Sequence, residues 1–276
     1  MKSNNSLGDF YDDFPRIEEA FQQFLDESLR PRGPDMLYDI VGKLGLPTRA
    51  SVVDLGCGEG RHSIRLASDF GFAVTGVDPV ERHIELANEA VVRTAEGDPP
   101  LRERVRFALG AAEEIPVEDA SVDLIWCREV MMHVRDLEKA FRECRRILRD
   151  GGRMLLHQMF FTDRMEPKEM EWLRGGQSMV LDSWRTGPME AAIASAGLEV
   201  ESVEEFGGEW GEYAAEATGG PGRRLAHASR LLRDPERYIA KFGRTNYDIM
   251  LGDCLWHVYR MIGKLSGRVY LLGKAI

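Results

Sequence analysis

The chain has no closely spaced pair of cysteines. Cys57, Cys127, Cys144 and Cys254 are spread along it, which argues against a disulfide framework or a zinc knuckle and fits a reducing, cytoplasmic setting. Long apolar runs are missing too. Nothing approaches the roughly 18 apolar residues of a membrane span, and the opening MKSNNSLGDF lacks the apolar stretch of a secretory signal, so no membrane partner is expected. Positive charge is in deficit, with 36 Lys and Arg against 46 Asp and Glu for a net charge of −10. Nucleic-acid binding leans on cations to neutralise phosphates, so nucleic acid is not expected as a partner. There is no internal repeat and no long low-complexity stretch; GGPG at 219–222 reads as a loop.

What is present is ordinary globular material: 276 residues, 43% hydrophobic and 30% charged, enough for one large domain or a core with a cap. SVVDL (51–55), AVTGVD (73–78), RVRFAL (104–109), VDLIWC (122–127) and RMLLHQ (153–158) are short apolar or β-branched runs of the kind that fill a sheet covered on both faces. LEVESVEEF (198–206) and RVYLLGKA (268–275) supply two more. Helical patterns separate them. The clearest spans 136–148, with Leu137, Ala140, Phe141, Cys144, Ile147 and Leu148 at helical spacing and Gly151-Gly152 as its expected stop. Strand–helix alternation predicts parallel pairing with right-handed crossovers.

The chemistry begins at VVDLGCGEG, residues 52–60, a strand running into a glycine-rich turn. Gly56, Gly58 and Gly60 give G-x-G-x-G, whereas a dinucleotide fingerprint wants G-x-G-x-x-G; Arg61 stands at the third-glycine place. Asp54 precedes the turn and Glu59 lies in it, where carboxylates repel a pyrophosphate but not a sulfonium cofactor with a free amino group. The stretch resembles motif I of the class I S-adenosylmethionine-dependent methyltransferases. The resemblance implies S-adenosyl-L-methionine as cofactor and an α/β fold: a Rossmann-like, seven-stranded, mostly parallel sheet with helices on both faces. Asp78 ends the second strand 20 residues after Gly58, the distance at which an acid hydrogen-bonds a ribose diol; Asp before Pro is also a common turn starter. The resemblance adds Pro79 and Val80 as packing for the adenine. After the third strand the family commonly has G-D-A-E-x-L-P, while this chain has GAAEEIP with Ala111 at the Asp position, leaving the backbone around Ala112 and the side chain of Glu113 to meet the ring edge. The fourth strand ends in WCREVMMHVRD. Ligands lie outside the carboxyl ends of such strands, so Cys127 and Arg128 are expected to border the methionine part of the cofactor, Cys127 through its carbonyl and Arg128 facing a carboxylate of either cofactor or protein.

His133 and His157 fall on the same side of the sheet, and either can serve as a base near neutral pH or as a packed strut. No clustered ligand set for a metal is evident. Four segments are expected: an N-terminal helical arm (1–34), the cofactor domain (35–206), a helical cap inserted before the last strand (207–267) and that last strand (268–276). Phe160, Phe161, Trp172, Trp184, Trp210 and Tyr213 are the candidate substrate-pocket aromatics, although core packing also accounts for such residues. The insertion resembles that of the small-molecule branch that includes sterol and terpenoid C-methyltransferases, in which an N-terminal Tyr, matched here by Tyr11, approaches the cofactor. Phe21, Phe24 and Leu25 form an apolar stripe before RPRGP, and an uncovered stripe on a monomer is a liability, so a homo-oligomer joined through the arm is expected. The leading functional reading is methyl transfer to a small apolar metabolite, with C-methylation of a prenyl or terpenoid alkene favoured because aromatic faces stabilise a carbocation. O- or N-methylation of an aromatic metabolite with His133 as base is the alternative. An RNA methyltransferase and a non-catalytic cofactor-binding module stand behind these.

Overall fold

The computed structural model describes residue 8, residue 18 and residues 21–98, 100–177 and 180–274. Its strands β1 (Ser51–Leu55), β2 (Ala73–Asp78), β3 (Val105–Leu109), β4 (Val122–Arg128), β5 (Leu148–Phe161), β6 (Leu198–Phe206) and β7 (Leu265–Lys274) form one sheet. The order is β3-β2-β1-β4-β5-β7-β6. Strands β1 to β5 pair in parallel, and β7 runs antiparallel to both its neighbours. This is the expected Rossmann-like α/β sheet, mostly parallel and covered by helices on both faces.

The strands alternate their apolar side chains between two cores, as a pleated sheet buried on both faces requires. Val53, Leu55, Ile125, Cys127, Met154 and Leu156 pack with the helices Leu137–Ile147 and Thr186–Ser195. Val52, Leu124, Trp126 and Leu155 pack on the other side with the helices Asp35–Lys43 and Arg61–Phe70. The helix Leu137–Ile147 starts where the Asp136 carboxylate accepts from Lys139 N at 2.9 Å, a side-chain cap for an otherwise orphaned donor. Its end differs from expectation. Leu148 is already extended and opens β5, so Gly151-Gly152 lies inside that strand. A Cβ at Gly152 would come 2.7 Å from the Val122 carbonyl, and here β4 and β5 shift register. Gly152 permits this close approach at the register shift, and helix termination is left to Leu148.

Strand β1 sits between β2 and β4, so the chain winds away from it in both directions and opens a crevice at the carboxyl ends of β1, β2 and β4. Above that end, between β6 and β7, lie the helices Glu209–Thr218, Gly220–Arg233, Pro235–Phe242 and Arg244–Met261. They enclose a third core, with Met132, Met159, Leu173, Trp184, Leu231, Tyr247, Leu251 and Leu255 buried together. The cap is therefore a packed body, and the strand following it begins at Leu265, three places earlier than the sequence pattern suggests.

Residues 21–28 are helical and expose Phe21, Phe24 and Leu25 at 60%, 69% and 57%. The segment after them is pinned: Arg30 N donates to Glu212 Oε2 at 2.8 Å, Arg32 N to the Glu209 carbonyl at 3.1 Å, and the Arg32 guanidinium pairs with Glu204. Tyr11 lies outside the described residues. Among the described residues no helix is long and apolar enough to cross a membrane.

Candidate active site

The glycine turn is built so that its backbone donors stay inside the protein. Gly56 N and Cys57 N both donate to the Val77 carbonyl, at 2.7 and 3.1 Å, and Gly58 N donates to Asp78 Oδ2 at 2.9 Å. The first turn of the helix Arg61–Phe70 is occupied as well: Asp54, fully buried, accepts from the Ser63 hydroxyl at 2.6 Å and from the Ser63 backbone. A phosphate-binding loop offers free N–H groups and a bare helix N-terminus. Here Gly56, Cys57, Gly58 and Ser63 have their N–H groups engaged within the protein, which suits a pyrophosphate poorly. All three glycines have positive φ, yet their surroundings differ. A Cβ at Gly56 would fall 2.2 Å from Val130, and one at Gly60 would fall 2.6 Å from Phe107, whereas one at Gly58 would meet nothing within 4 Å. The turn thus packs at its two ends and faces open space at its middle, the geometry of a cradle.

Asp78 stands beside that space. Its Oδ1 accepts from Val80 N and lies 3.0 Å from His83 Nδ1, while Oδ2 holds Gly58 N. A carboxylate has about four acceptor positions, so with three engaged it is oriented and can still take a hydroxyl. Next to it a small cavity is lined by Leu55, Val77, Pro79, Ala112, Glu113 and His133 together with neighbouring backbone. Ala111 and Glu114 form a bridge that folds the 111–114 stretch into a tight turn; Ala112 is buried and Glu113 half-buried at the rim. Pro79, Ala112, Glu113 and His133 therefore meet at one cavity. His133 is an exposed residue following β4.

The carboxyl ends of β4 and β5 carry the electrostatic core of the site. Arg128 Nη1 donates to His62 Nε2 at 2.7 Å, which leaves the proton of that imidazole on Nδ1, donated to Tyr38 Oη at 2.5 Å. Burial foremost, then the neighbouring arginines, pushes His62 down to about 3, so it is a neutral acceptor that orients Arg128. Glu129 follows with φ +59°, a left-handed conformation in a residue with a Cβ, a strain of about 1–3 kcal/mol that clusters at functional sites. Burial raises its carboxyl to about 7 against the opposing pull of Arg128 and Arg260. Its Oε1 lies 3.3 Å from His157 Nδ1, and its Oε2 is buried without a partner. Trp210, from the cap, closes over this group: the guanidinium carbons of Arg128 and Arg260 lie 5.4 and 5.5 Å from its ring centroid, and His157 lies 4.4 Å away. The Arg128 Nε, Arg260 Nε and Trp210 Nε1 are buried donors without a hydrogen-bond partner among the described residues. Three such donors at one place suit a bound polar ligand.

Several sequence candidates do not join this site. His157 is fully buried with its ring parallel to that of Phe206, and burial holds it neutral; it can touch Glu129 but not an incoming acceptor. The Cys127 side chain packs in the core shared with Leu55 and Val77, its thiol pushed up by burial, so only its backbone carbonyl is left for the expected role. Asp54 is turned to Ser63, and burial raises it to about 7. Phe160 points to the opposite face of the sheet, edge-on to Tyr270. Phe161 stacks on Trp184, which meets Trp256 edge-on inside the cap core. Trp172 packs against that core under Lys168. Tyr213 is 41% exposed and lies over Gly33. Of the six pocket aromatics, Trp210 alone reaches the charged cluster. Sequence reading missed His62, Glu129 and Arg260. Glu129 adjoins Arg128 at a strand end facing the crevice and was findable there, whereas Arg260 is brought in only by the folding of the cap.

Residues 53–156 match the methyltransferase domain family. The chain is 33% identical over 164 residues to the 27-O-demethylrifamycin SV methyltransferase of Amycolatopsis mediterranei, an alignment covering 58% of each chain. It thus spans under three-fifths of that relative's length. Among solved structures, the phosphoethanolamine N-methyltransferase 2 of Haemonchus contortus superposes with a TM-score of 0.66 at 22% identity, over 89% of this chain and 54% of the other. The geranyl diphosphate C-methyltransferase of Streptomyces coelicolor does so with a TM-score of 0.58 at 18% identity, over 99% and 86%. The fold is that of the class I S-adenosylmethionine-dependent methyltransferases.

Proposed function

We propose that this chain is an S-adenosylmethionine-dependent methyltransferase whose acceptor is a small molecule held under the cap at the carboxyl end of β4, and that the methyl group goes to a heteroatom. The observation that carries the reading is the pairing of a glycine turn whose Gly56, Cys57 and Gly58 N–H groups are already engaged with a cluster of buried donors, on Arg128, Arg260 and Trp210, that lack a partner among the described residues. When bound, S-adenosylmethionine supplies an activated methyl group. Asp78 would accept from its ribose, Pro79 and Ala112 would flank the adenine with Glu113 at the ring edge, and Arg128, steadied by His62, would meet the carboxylate.

The remaining chemistry belongs to the chain. Methyl transfer rests mostly on alignment in a site free of water, which Trp210 and the cap provide. A hydroxyl or amine acceptor must lose a proton, and a carboxylate whose affinity for protons lies near 7 suits that task. Glu129 would take the proton on a carboxylate oxygen, with His157 Nδ1 at 3.3 Å steadying the acid form. An alkene acceptor fits less well, because a carbocation needs aromatic faces and Trp210 already has two guanidiniums beside it. The name of the rifamycin relative describes O-methylation, in line with this preference. The test is incubation with methyl-labelled S-adenosylmethionine and a panel of phenols, amines and prenylated compounds, locating the label by NMR. Label on oxygen or nitrogen that Glu129→Gln reduces by roughly 10²–10⁴-fold is expected; label on carbon, indifferent to that substitution, would defeat the reading.

A further inference from the structure

In a chain with ten more acids than bases, a half-buried arginine has carboxylates to choose from. Among the described residues, the half-buried arginines other than Arg128 and Arg260 each have a carboxylate within 4.0 Å, Arg65 on Asp35, Arg146 on Asp119 and Arg268 on Glu190 among them. Arg128 and Arg260 have none. They flank the same indole ring, and the acid nearest in the chain, Glu129, feels both without pairing with either. Arg128 has His62 as a partner. Among the described residues Arg260 is given no hydrogen-bond partner, its Nε is buried, and Trp210 presents a second buried donor, Nε1, in the same group. With Glu129 ionised, the cluster holds two positive charges against one negative, and S-adenosylmethionine adds a sulfonium. Leaving such charge uncompensated in a half-buried site is costly.

We propose that Arg260 is a specificity residue that binds an oxyanion carried by the acceptor, a carboxylate or a phosphate. This rests on the methyltransferase reading above and adds to it the class of substrate. Arg128 answers the cofactor's carboxylate and Arg260 the acceptor's anion, with Trp210 Nε1 as a further donor. The anion sits at the cap side of the indole, and the heteroatom to be methylated lies towards Glu129. A charge pair in this half-buried place is screened less by salt than one on the surface, so the preference for an anion persists at physiological ionic strength.

The experiment is calorimetric titration of the full chain, saturated with S-adenosylhomocysteine, using benzoate, phenyl phosphate and neutral benzamide as probes. At least one anion is expected to bind about tenfold or more tightly than benzamide, and the stronger of the two identifies the kind of oxyanion. Arg260→Met should abolish that preference, and Arg260→Lys, which keeps the charge but not the forked donors, should restore part of it. Both variants should bind S-adenosylhomocysteine within about twofold of the native chain, which also reports that they fold. Anions that bind no better than benzamide, or a preference that survives Arg260→Met, overturns the proposal. Failure of the native chain to bind S-adenosylhomocysteine overturns the methyltransferase reading instead.

Discussion

Replacing Asp78 by Asn removes one charge and one acceptor while changing almost no volume, and the geometry says what that must do. The carboxylate accepts from Gly58 N at 2.9 Å on one oxygen and from Val80 N at 3.0 Å on the other. An amide has a single acceptor oxygen, so whichever way the side chain turns, its NH2 group faces a backbone N–H that had been satisfied. An unsatisfied buried donor costs about 1–3 kcal/mol, which for a domain of this size lowers the melting temperature by roughly 2–10 °C. The ribose would lose a charged acceptor as well, worth about 1.5–3 kcal/mol, or roughly 10- to 150-fold in affinity. Calorimetric titration with S-adenosylhomocysteine measures the second effect and thermal melting the first. His83→Ala serves as a control, because it removes one neighbour of Oδ1 and leaves the carboxylate; its effect on affinity is expected to stay below about fivefold. A folded Asp78→Asn protein that binds like the native chain would refute the ribose assignment.

The raised Glu129 carboxyl makes stability depend on pH. A carboxyl held near 7 in the fold and at its ordinary value when unfolded contributes stability below the unfolded value and loses it as pH rises through 7. Melting temperatures of Glu129→Gln measured relative to the native chain should therefore climb between pH 5 and 8, and a flat difference would count against the burial argument. At the glycine turn, Gly58→Ala is expected to fold at a cost of about 1–3 kcal/mol for its positive φ and to lose cofactor affinity, whereas Gly56→Ala should be poorly folded because its Cβ would fall 2.2 Å from Val130; circular dichroism and calorimetry separate the two. Phe160→Leu should lower stability by about 1 kcal/mol as a core change and leave kcat/KM intact, while Trp210→Ala should lower kcat/KM. Light scattering tests the arm: a chain beginning at Asp35 is expected to form a smaller assembly than the full chain, and an unchanged mass would exclude residues 1–34 as the contact.

The fold was legible because its signals are local. Each parallel strand is a short apolar run bounded by turn residues, and the glycine spacing carries its own backbone requirement at Gly56 and Gly60. The candidate cofactor residues could be placed for the same reason, since Asp78 and Arg128 end strands and Ala112 follows one. The proposed acceptor side could not. Sequence pattern can mark Phe160, Phe161 and Trp184 as large and apolar, but strand parity sends Phe160 to the far face and cap packing pairs the other two. Conversely, Arg260 is one charge in a helix with no local signature, and it acquires meaning only from the helix packing that sets it beside Trp210. For His157 the strand end left base and packed strut both open; its burial beneath Trp210, a property of the assembled cap, favours the strut.

The position of β7 governs the order in which this molecule can be made. It lies between β5 and β6, and among the described residues β6 has no other strand neighbour, so β6 cannot join the sheet until residues 265–274 have been synthesised. Phe161 must wait for Leu265 and Leu198 for Lys274, contacts across long stretches of chain that are slow to close. The first five strands can meanwhile associate as they emerge. A nascent chain would thus carry an assembled glycine turn and Asp78 well before Trp210 and Arg260 arrive, and the last event of folding is also the one that roofs the acceptor site. Cofactor present during synthesis would stabilise the early half by mass action, while late-acting substitutions in β7 should trap a species that binds the cofactor and accepts nothing.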